Sequence, residues 1–244
     1  MHLIIDIGNS SAKVALFEGH NPIKEIQTKH EELPALLASF SKDERITRAI
    51  VSSVIPIDES TEQAINKLPF TVLRMSAKLR MPFSIAYKTP ETLGADRLAA
   101  VAEAYMQYPG NDLLIIDVGT AITYDLITSK GVYLGGNISP GIAMRFKALH
   151  HFTGKLPLVS EEGERVEMGD TTENALREGV LQGVSYEIEG YIHTCKNKYP
   201  HLLVFLTGGG AKFLDNQTKS RTFADSLLVL KGLNRILTLN DENT

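Results

Sequence analysis

The chain has 244 residues, 43% of them hydrophobic and 22% charged, with a formal net charge of −4; this is an ordinary folded composition, with room for one large domain or two smaller ones. Its 25 Lys and Arg are scattered rather than gathered into a stripe, which argues against nucleic-acid binding, and no apolar run approaches the ~20 residues of a membrane span. The single cysteine, Cys195, excludes an intrachain disulfide, no His/Cys spacing suits zinc, and Met1-His2 leads into a strand rather than a basic cleavable leader, so a cytoplasmic protein is expected.

In chain order, the apolar or alternating runs 2–7, 12–17 and 23–28, separated by Gly8-Asn9-Ser10 and Gly19-His20-Asn21-Pro22, predict a three-stranded meander. A helix over 31–40 follows, with Pro34 tolerable in its first turn. Strand 46–54, helix 59–68 and strand 70–75 come next, giving the order βββαβαβ. A loop over 87–94 leads into a helix whose Leu98, Val101, Ala102 and Tyr105 share one face, and Pro109-Gly110 stops it.

The second half restarts the same way, with strands over 113–118, 122–127 and 131–134. Helices are expected over 142–151 and 172–198. The second carries a wide apolar stripe through Leu176, Val180, Val184, Ile188 and Ile192 that needs something large to pack on. A strand over 201–207 runs into Gly208-Gly209-Gly210, and a last helical stretch lies within 226–237, before a polar tail over 240–244 that is expected to fray. His150-His151 lacks metal-ligand spacing and reads as a helix end, and Cys195 reads as a plain helix residue.

One feature recurs. "LIIDIGNSS" (3–11) drives a buried strand into an aspartate and a glycine turn, which on its own is explained by a hairpin. However, "LIIDVGTAITYDLI" (114–127) places Asp117, Gly119 and Thr120 where the first copy has Asp6, Gly8 and Asn9, 111 residues earlier. A turn has no reason to recur at nearly half the chain length, whereas a duplicated fold does. The expected class is α/β, with duplicated actin-like (ribonuclease H-like) βββαβα domains over 1–111 and 112–244 flanking a nucleotide cleft, the plan of actin, hexokinase and Hsp70.

The motifs "DIGNSSAK" (6–13), "GADR" (94–97), "DVGTA" (117–121), "GGNISPG" (135–141) and "TGGG" (207–210) resemble, in that order, those of type III pantothenate kinase. Many members carry Thr where this chain has Ser10, which keeps the hydroxyl. The resemblance implies an ATP-dependent kinase that phosphorylates the primary hydroxyl of pantothenate to 4′-phosphopantothenate, the first committed step towards coenzyme A. It also implies a monovalent cation, K⁺ or NH₄⁺, at Asp117. Pantothenate would lie against Tyr87, Gly94, Ala95, Asp96, Arg97 and Thr172, in a homodimer whose substrate site is shared between subunits.

The residues bear a kinase reading on chemical grounds as well. A kinase must cradle a triphosphate, neutralise the charge of the moving phosphoryl group and take a proton from the accepting alcohol. Backbone N–H groups and short hydroxyls across Asp6, Ile7, Gly8, Asn9, Ser10, Ser11 and Ala12, with Lys13 as a point charge and Thr120 from the second half, suit ATP. Asp6 suits Mg²⁺ or its waters. Asp96 is the candidate catalytic base; the helix start and Arg97 both favour its ionised form, so positioning against the alcohol carries the role more than basicity. By pattern alone it is equally a helix N-cap, and the GADR match decides for catalysis. Arg97 alone reads as well as a surface ion pair, Tyr87 as a half-buried loop tyrosine and Thr172 as a helix cap. Gly208-Gly209-Gly210 reads as a turn or as a loop beneath adenosine. The alternatives to pantothenate kinase are another phosphotransferase or polyphosphate hydrolase of this architecture, which has no need of GADR, and an inactive nucleotide-binding regulator, which has no need of Asp96. The Walker A pattern is absent from the sequence, against a P-loop kinase.

Overall fold

The structure, a computed structural model, describes residues 1–211 and 222–241. It divides into two compact units: Met1–Gly110 with Gly131–Leu134 and the chain from Leu227 on, and Asn111–Lys130 with Gly135–Ser226.

The first unit opens with β1 (His2–Ile7), β2 (Ala12–Glu18) and β3 (Asn21–Thr28). It continues through α1 (Leu33–Phe40), β4 (Arg48–Ser53), α2 (Glu59–Asn66) and β5 (Thr71–Arg74). The sheet order is β3-β2-β1-β4-β5, antiparallel for β1–β2 and β2–β3 and parallel for β1–β4 and β4–β5. β1 is apolar on both faces because both are covered. Leu3, Ile5 and Ile7 join Leu33 and Leu37 of α1 and Ile65 of α2 in one core, and Ile4 is fully buried on the other side. Asp58 caps α2, its carboxylate accepting the Thr61 N–H at 3.0 Å. The short β6 (Ser84–Ile85) follows and pairs with Val132 and Tyr133, and α3 (Ala95–Gln107) closes this stretch of chain.

The second unit repeats the plan with β7 (Leu113–Val118), β8 (Ala121–Ile127) and β9 (Val132–Pro140), whose residues from Gly135 on belong to this unit. Then come α4 (Ile142–Phe152), α5 (Thr172–Lys198), β10 (Leu203–Thr207) and β11 (Phe223–Ala224). β7 pairs antiparallel with β8 and parallel with β10, as β1 does with β2 and β4. The buried stripe of α5, Val180, Leu181, Val184, Ile188 and Ile192, packs with Leu114, Ile116 and Leu206 of the sheet. The unit's own core therefore covers the stripe.

Two boundaries differ from the sequence reading. β9 runs to Pro140 rather than 134: glycines at 135 and 136 read as a loop, but the strand continues past Gly135, whose φ of +99° favours glycine. The last helix, α6 (Leu228–Leu239), belongs with the first unit rather than with a domain over 112–244. Gly232 is the reason that this packing is possible: a β-carbon there would lie 1.8 Å from the Ala99 carbonyl oxygen of α3. Arg235 Nε donates to Glu103 at 3.0 Å and Asn234 hydrogen-bonds His2 at 2.8 Å, which ties the helix to α3 and β1. Residues 242–244 of the expected frayed tail lie outside the described residues.

Candidate active site

In the first unit, Asp6 is the penultimate residue of β1 and stands in register between Lys13 of β2 and Ser52 of β4. The chain then turns through Gly8–Ser11, closed by the Gly8 N–H donating to the Ser11 carbonyl at 3.0 Å. Gln27 Nε2 donates to Ser11 Oγ at 2.8 Å. His30 Nε2 lies 3.0 Å from the Gly8 carbonyl, and because a carbonyl only accepts, that nitrogen carries the proton. Asn9 and Ser10 are exposed, Lys13 is half-buried, and Ile7 and Ala12 are buried in the strands that anchor the turn.

Asp6 Oδ1 and Ser52 Oγ are both buried and neither completes a hydrogen bond. Burial pushes the Asp6 carboxyl up to about 6, the negative charge of Asp96 adds to the rise, and the Ser52 hydroxyl and Lys13 ammonium oppose it. A buried carboxylate with an orphaned oxygen, under the negative charge of a second carboxylate, has the chemistry to receive a cation. Among the described residues no group of three or more His, Cys, Asp or Glu is arranged to hold a metal. One or two carboxylates suffice for Mg²⁺, whose shell phosphate and water complete.

Asp96 is the second residue of α3. Gly94 is the N-cap, and Asp96 lies inside it, in the first turn of the helix. Asp96 Oδ1 accepts the Arg97 N–H at 2.8 Å. Arg97 is 6% exposed, so it is no surface ion-pair residue. Gly94 and Ala95 line a cavity of about 700 Å³ with Val54, Met75, Lys78 and Thr92, all in this unit. Tyr87 is half-buried beside Tyr133, ring centroids 6.4 Å apart.

The second unit carries the matching constellation. Asp117 is penultimate in β7, in register between Thr123 and Thr207. The Gly119 N–H donates to the Ala121 carbonyl at 3.1 Å, and Thr120 is exposed on the turn. Gly208, at φ +87°, lies over the aspartate: a β-carbon there would fall 2.3 Å from Asp117 Oδ1. Gly210 donates its N–H to the Val118 carbonyl at 2.9 Å, so the TGGG segment is a fixed cover on the end of β7 rather than a free turn. Thr172 is the first residue of α5 and exposed; the capping role falls to Thr171, whose Oγ1 accepts the Asn174 N–H at 3.1 Å. His150 Nδ1 meets the Leu156 carbonyl at 2.8 Å, in line with a helix-end role.

Sequence reasoning missed His30, Gln27 and Ser52, which support the first turn, and Glu187, Ser139 and Arg145 of the second unit. Ser139 alone carried a signal, since it lies inside the GGNISPG motif.

Two units that each open on three successive strands and end their first strand on an Asp-x-Gly loop define the actin-like class of proteins. Solved structures share the fold: a Baf family transcriptional activator from Campylobacter jejuni (24% identity, 98% of this chain and 99% of that one, TM-score 0.66) and an inorganic polyphosphate/ATP-glucomannokinase from an Arthrobacter species (13% identity, 100% of both chains, TM-score 0.52). The family model of type III pantothenate kinase matches residues 2–194. Curated type III pantothenate kinases of Bacteroides fragilis and Phocaeicola vulgatus are 52% and 48% identical to this chain, covering 99% of it and 99% and 100% of themselves. The chain belongs to the type III pantothenate kinase family.

Proposed function

We infer that the chain transfers the γ-phosphoryl group of ATP to the primary hydroxyl of pantothenate, releasing ADP and 4′-phosphopantothenate, in coenzyme A biosynthesis. The observation that carries the reading is the GADR start of α3, whose Gly94 and Ala95 line a cavity large enough for a small organic acid.

Asp96 accepts the proton of the alcohol as the oxygen attacks the γ-phosphorus, and the bond from that phosphorus to the bridging oxygen of ADP breaks. The Arg97 N–H fixes the orientation of the carboxylate, and orientation is its main contribution. Backbone N–H groups and hydroxyls of Gly8, Asn9, Ser10 and Ser11, anchored by Ile7 and Ala12, bind the phosphates with Lys13 and Thr120. Asp6 would hold Mg²⁺, which would supply neutralisation of the phosphate charge. Asp117 would hold K⁺ or NH₄⁺ through its carboxylate, against which the Gly208 backbone packs closely. Tyr87, Gly94, Ala95, Arg97 and Thr172 hold pantothenate.

The assembly is a homodimer in the cytoplasm, with Thr172 of one chain completing the substrate site of the other. The apolar stripe of α5 does not support this, being covered by its own core. What supports it is the family likeness and the exposure of Ile138 (63%) and Tyr186 (71%) on the second unit. No described helix is long and apolar enough to cross a membrane. The test is turnover of the purified chain with ATP, Mg²⁺ and K⁺ on a panel of small alcohols. Pantothenate is expected to gain one phosphoryl group on its primary hydroxyl with stoichiometric ADP, and preference for another alcohol overturns the reading.

A further inference from the structure

Glu187 lies in the middle of α5, and its carboxylate collects donors from three other elements. Oε1 accepts the Tyr124 hydroxyl of β8 at 2.6 Å and the Ser139 hydroxyl of β9 at 2.5 Å, and Oε2 accepts Arg145 Nη2 of α4 at 2.5 Å. Arg145 also donates from Nε to the Pro140 carbonyl at 2.8 Å. The Tyr124 ring stacks on Tyr191 of α5 at 3.8 Å. Burial works against the Glu187 charge, but the hydrogen bonds from Ser139, Tyr124 and Arg145 outweigh it and keep the carboxyl below its ordinary range.

These contacts fix Ser139 and Pro140, and the next residue is Gly141. Its N–H donates to the Thr120 carbonyl at 3.1 Å. A β-carbon on Gly141 would lie 2.3 Å from both the Gly119 and the Thr120 carbonyl oxygens, so the two backbones are in contact with no slack. Where Gly141 sits, Thr120 must sit.

We propose that Glu187, acting through Arg145 and Ser139, is a positioning residue for ATP: it fixes the β9–α4 junction and thereby the Gly119–Thr120 loop. The inference rests on the reading that this loop binds the nucleotide. Charge-assisted bonds in a half-buried setting are strong enough for the task, and losing one leaves its partner unpaired. Glu187 is 15 residues along α5 from Thr172, about 22 Å at the helical rise, so the pantothenate contact of Thr172 is out of its reach.

The test compares Glu187→Gln, Arg145→Gln, the double variant, Ser139→Ala and Thr120→Ala with the parent. Affinity for a non-transferable ATP analogue with Mg²⁺ is measured by calorimetry, together with KM for ATP and for pantothenate. Each charged single variant is expected to weaken nucleotide binding about tenfold, as loss of ~1.4 kcal/mol implies. The double variant should be no worse than the weaker single, because both act through one linkage. Ser139→Ala, a mild change that keeps the fold, should weaken binding two- to fivefold, with KM for pantothenate unchanged in all. A merely structural role lowers the melting temperature and leaves nucleotide affinity alone, and that result overturns the proposal, as do independent, multiplicative losses in the double variant. If Thr120→Ala binds the analogue like the parent, the nucleotide reading of the loop fails and the proposal falls with it. If Thr120→Ala weakens binding while Glu187→Gln does not, the positioning role alone is overturned.

Discussion

Asp6 and Asp96 oppose each other: with the Asp6 carboxylate already disfavoured by burial, the negative charge of Asp96 pushes its pKa up further, to about 6. One carboxylate ends β1 and the other begins α3, so the sheet and the helix deliver them to one place by separate routes. Such a pair is at ease only when a cation or a proton is present.

Asp6→Asn tests the pair through stability and pH. The folded state holds the Asp6 proton more tightly than the unfolded chain does. The contribution of this group therefore falls as pH rises through the window from about 4 to 6, and above 6 the ionised group is a standing cost. The metal-free variant is expected to melt higher than the parent at pH 8 by an amount of order 1–3 kcal/mol, the gap closing near pH 4. The acid limb of parental kcat/KM should lie near pH 6 at low Mg²⁺ and move lower as Mg²⁺ rises. An unchanged melting profile, or an acid limb insensitive to Mg²⁺, counts against Asp6 as the Mg²⁺ ligand.

Asp117→Ala tests the cation assigned to the second Asp-x-Gly loop. Parental activity should require K⁺ or NH₄⁺, and the variant should lose that dependence together with ATP affinity. Full rates in Na⁺ buffer stripped of both ions would refute the assignment.

Gly232→Ala tests how α6 joins the first unit. With a β-carbon 1.8 Å from the Ala99 carbonyl, the helix must shift against α3. Overpacking of this kind costs roughly 1–3 kcal/mol. Denaturant unfolding should show a loss at the upper end of that range, and a neutral result would mean that α6 is free to move away.

A mixing experiment addresses assembly. Asp96→Asn and a severely impaired Thr172 variant, each inactive alone, should regain activity after subunit exchange, because some heterodimers then hold one intact site. A mixture that stays inactive despite proven exchange would show that each chain builds its own site.

The fold was legible where the sequence carries local physics. α5 spans 172–198 as its apolar period and Thr171-Thr172 start indicate, and both Asp-x-Gly loops lie at the strand ends where repetition placed them. What was illegible depends on long-range packing. Nothing local to Gly232 says that it meets Ala99, so the grouping of α6 with the first unit is not written in the local sequence. β9 was cut short because paired glycines weaken a strand signal without ending the strand. Glu187 looked like any solvated helix charge, since its three donors come from 63, 48 and 42 residues away. Asp96 stands at the start of α3 as the GADR motif led one to expect, with Gly94 rather than Asp96 at the N-cap position.

The central claim is that Asp96 takes the proton when pantothenate is phosphorylated, and single-turnover transfer by Asp96→Asn measures it most directly. With Mg²⁺-ATP and pantothenate bound at saturation, the account predicts a rate about 10²–10⁴-fold below the parent, the usual worth of a general base, with affinity for the ATP analogue preserved. Transfer at a near-parental rate would contradict it and remove Asp96 from the chemistry.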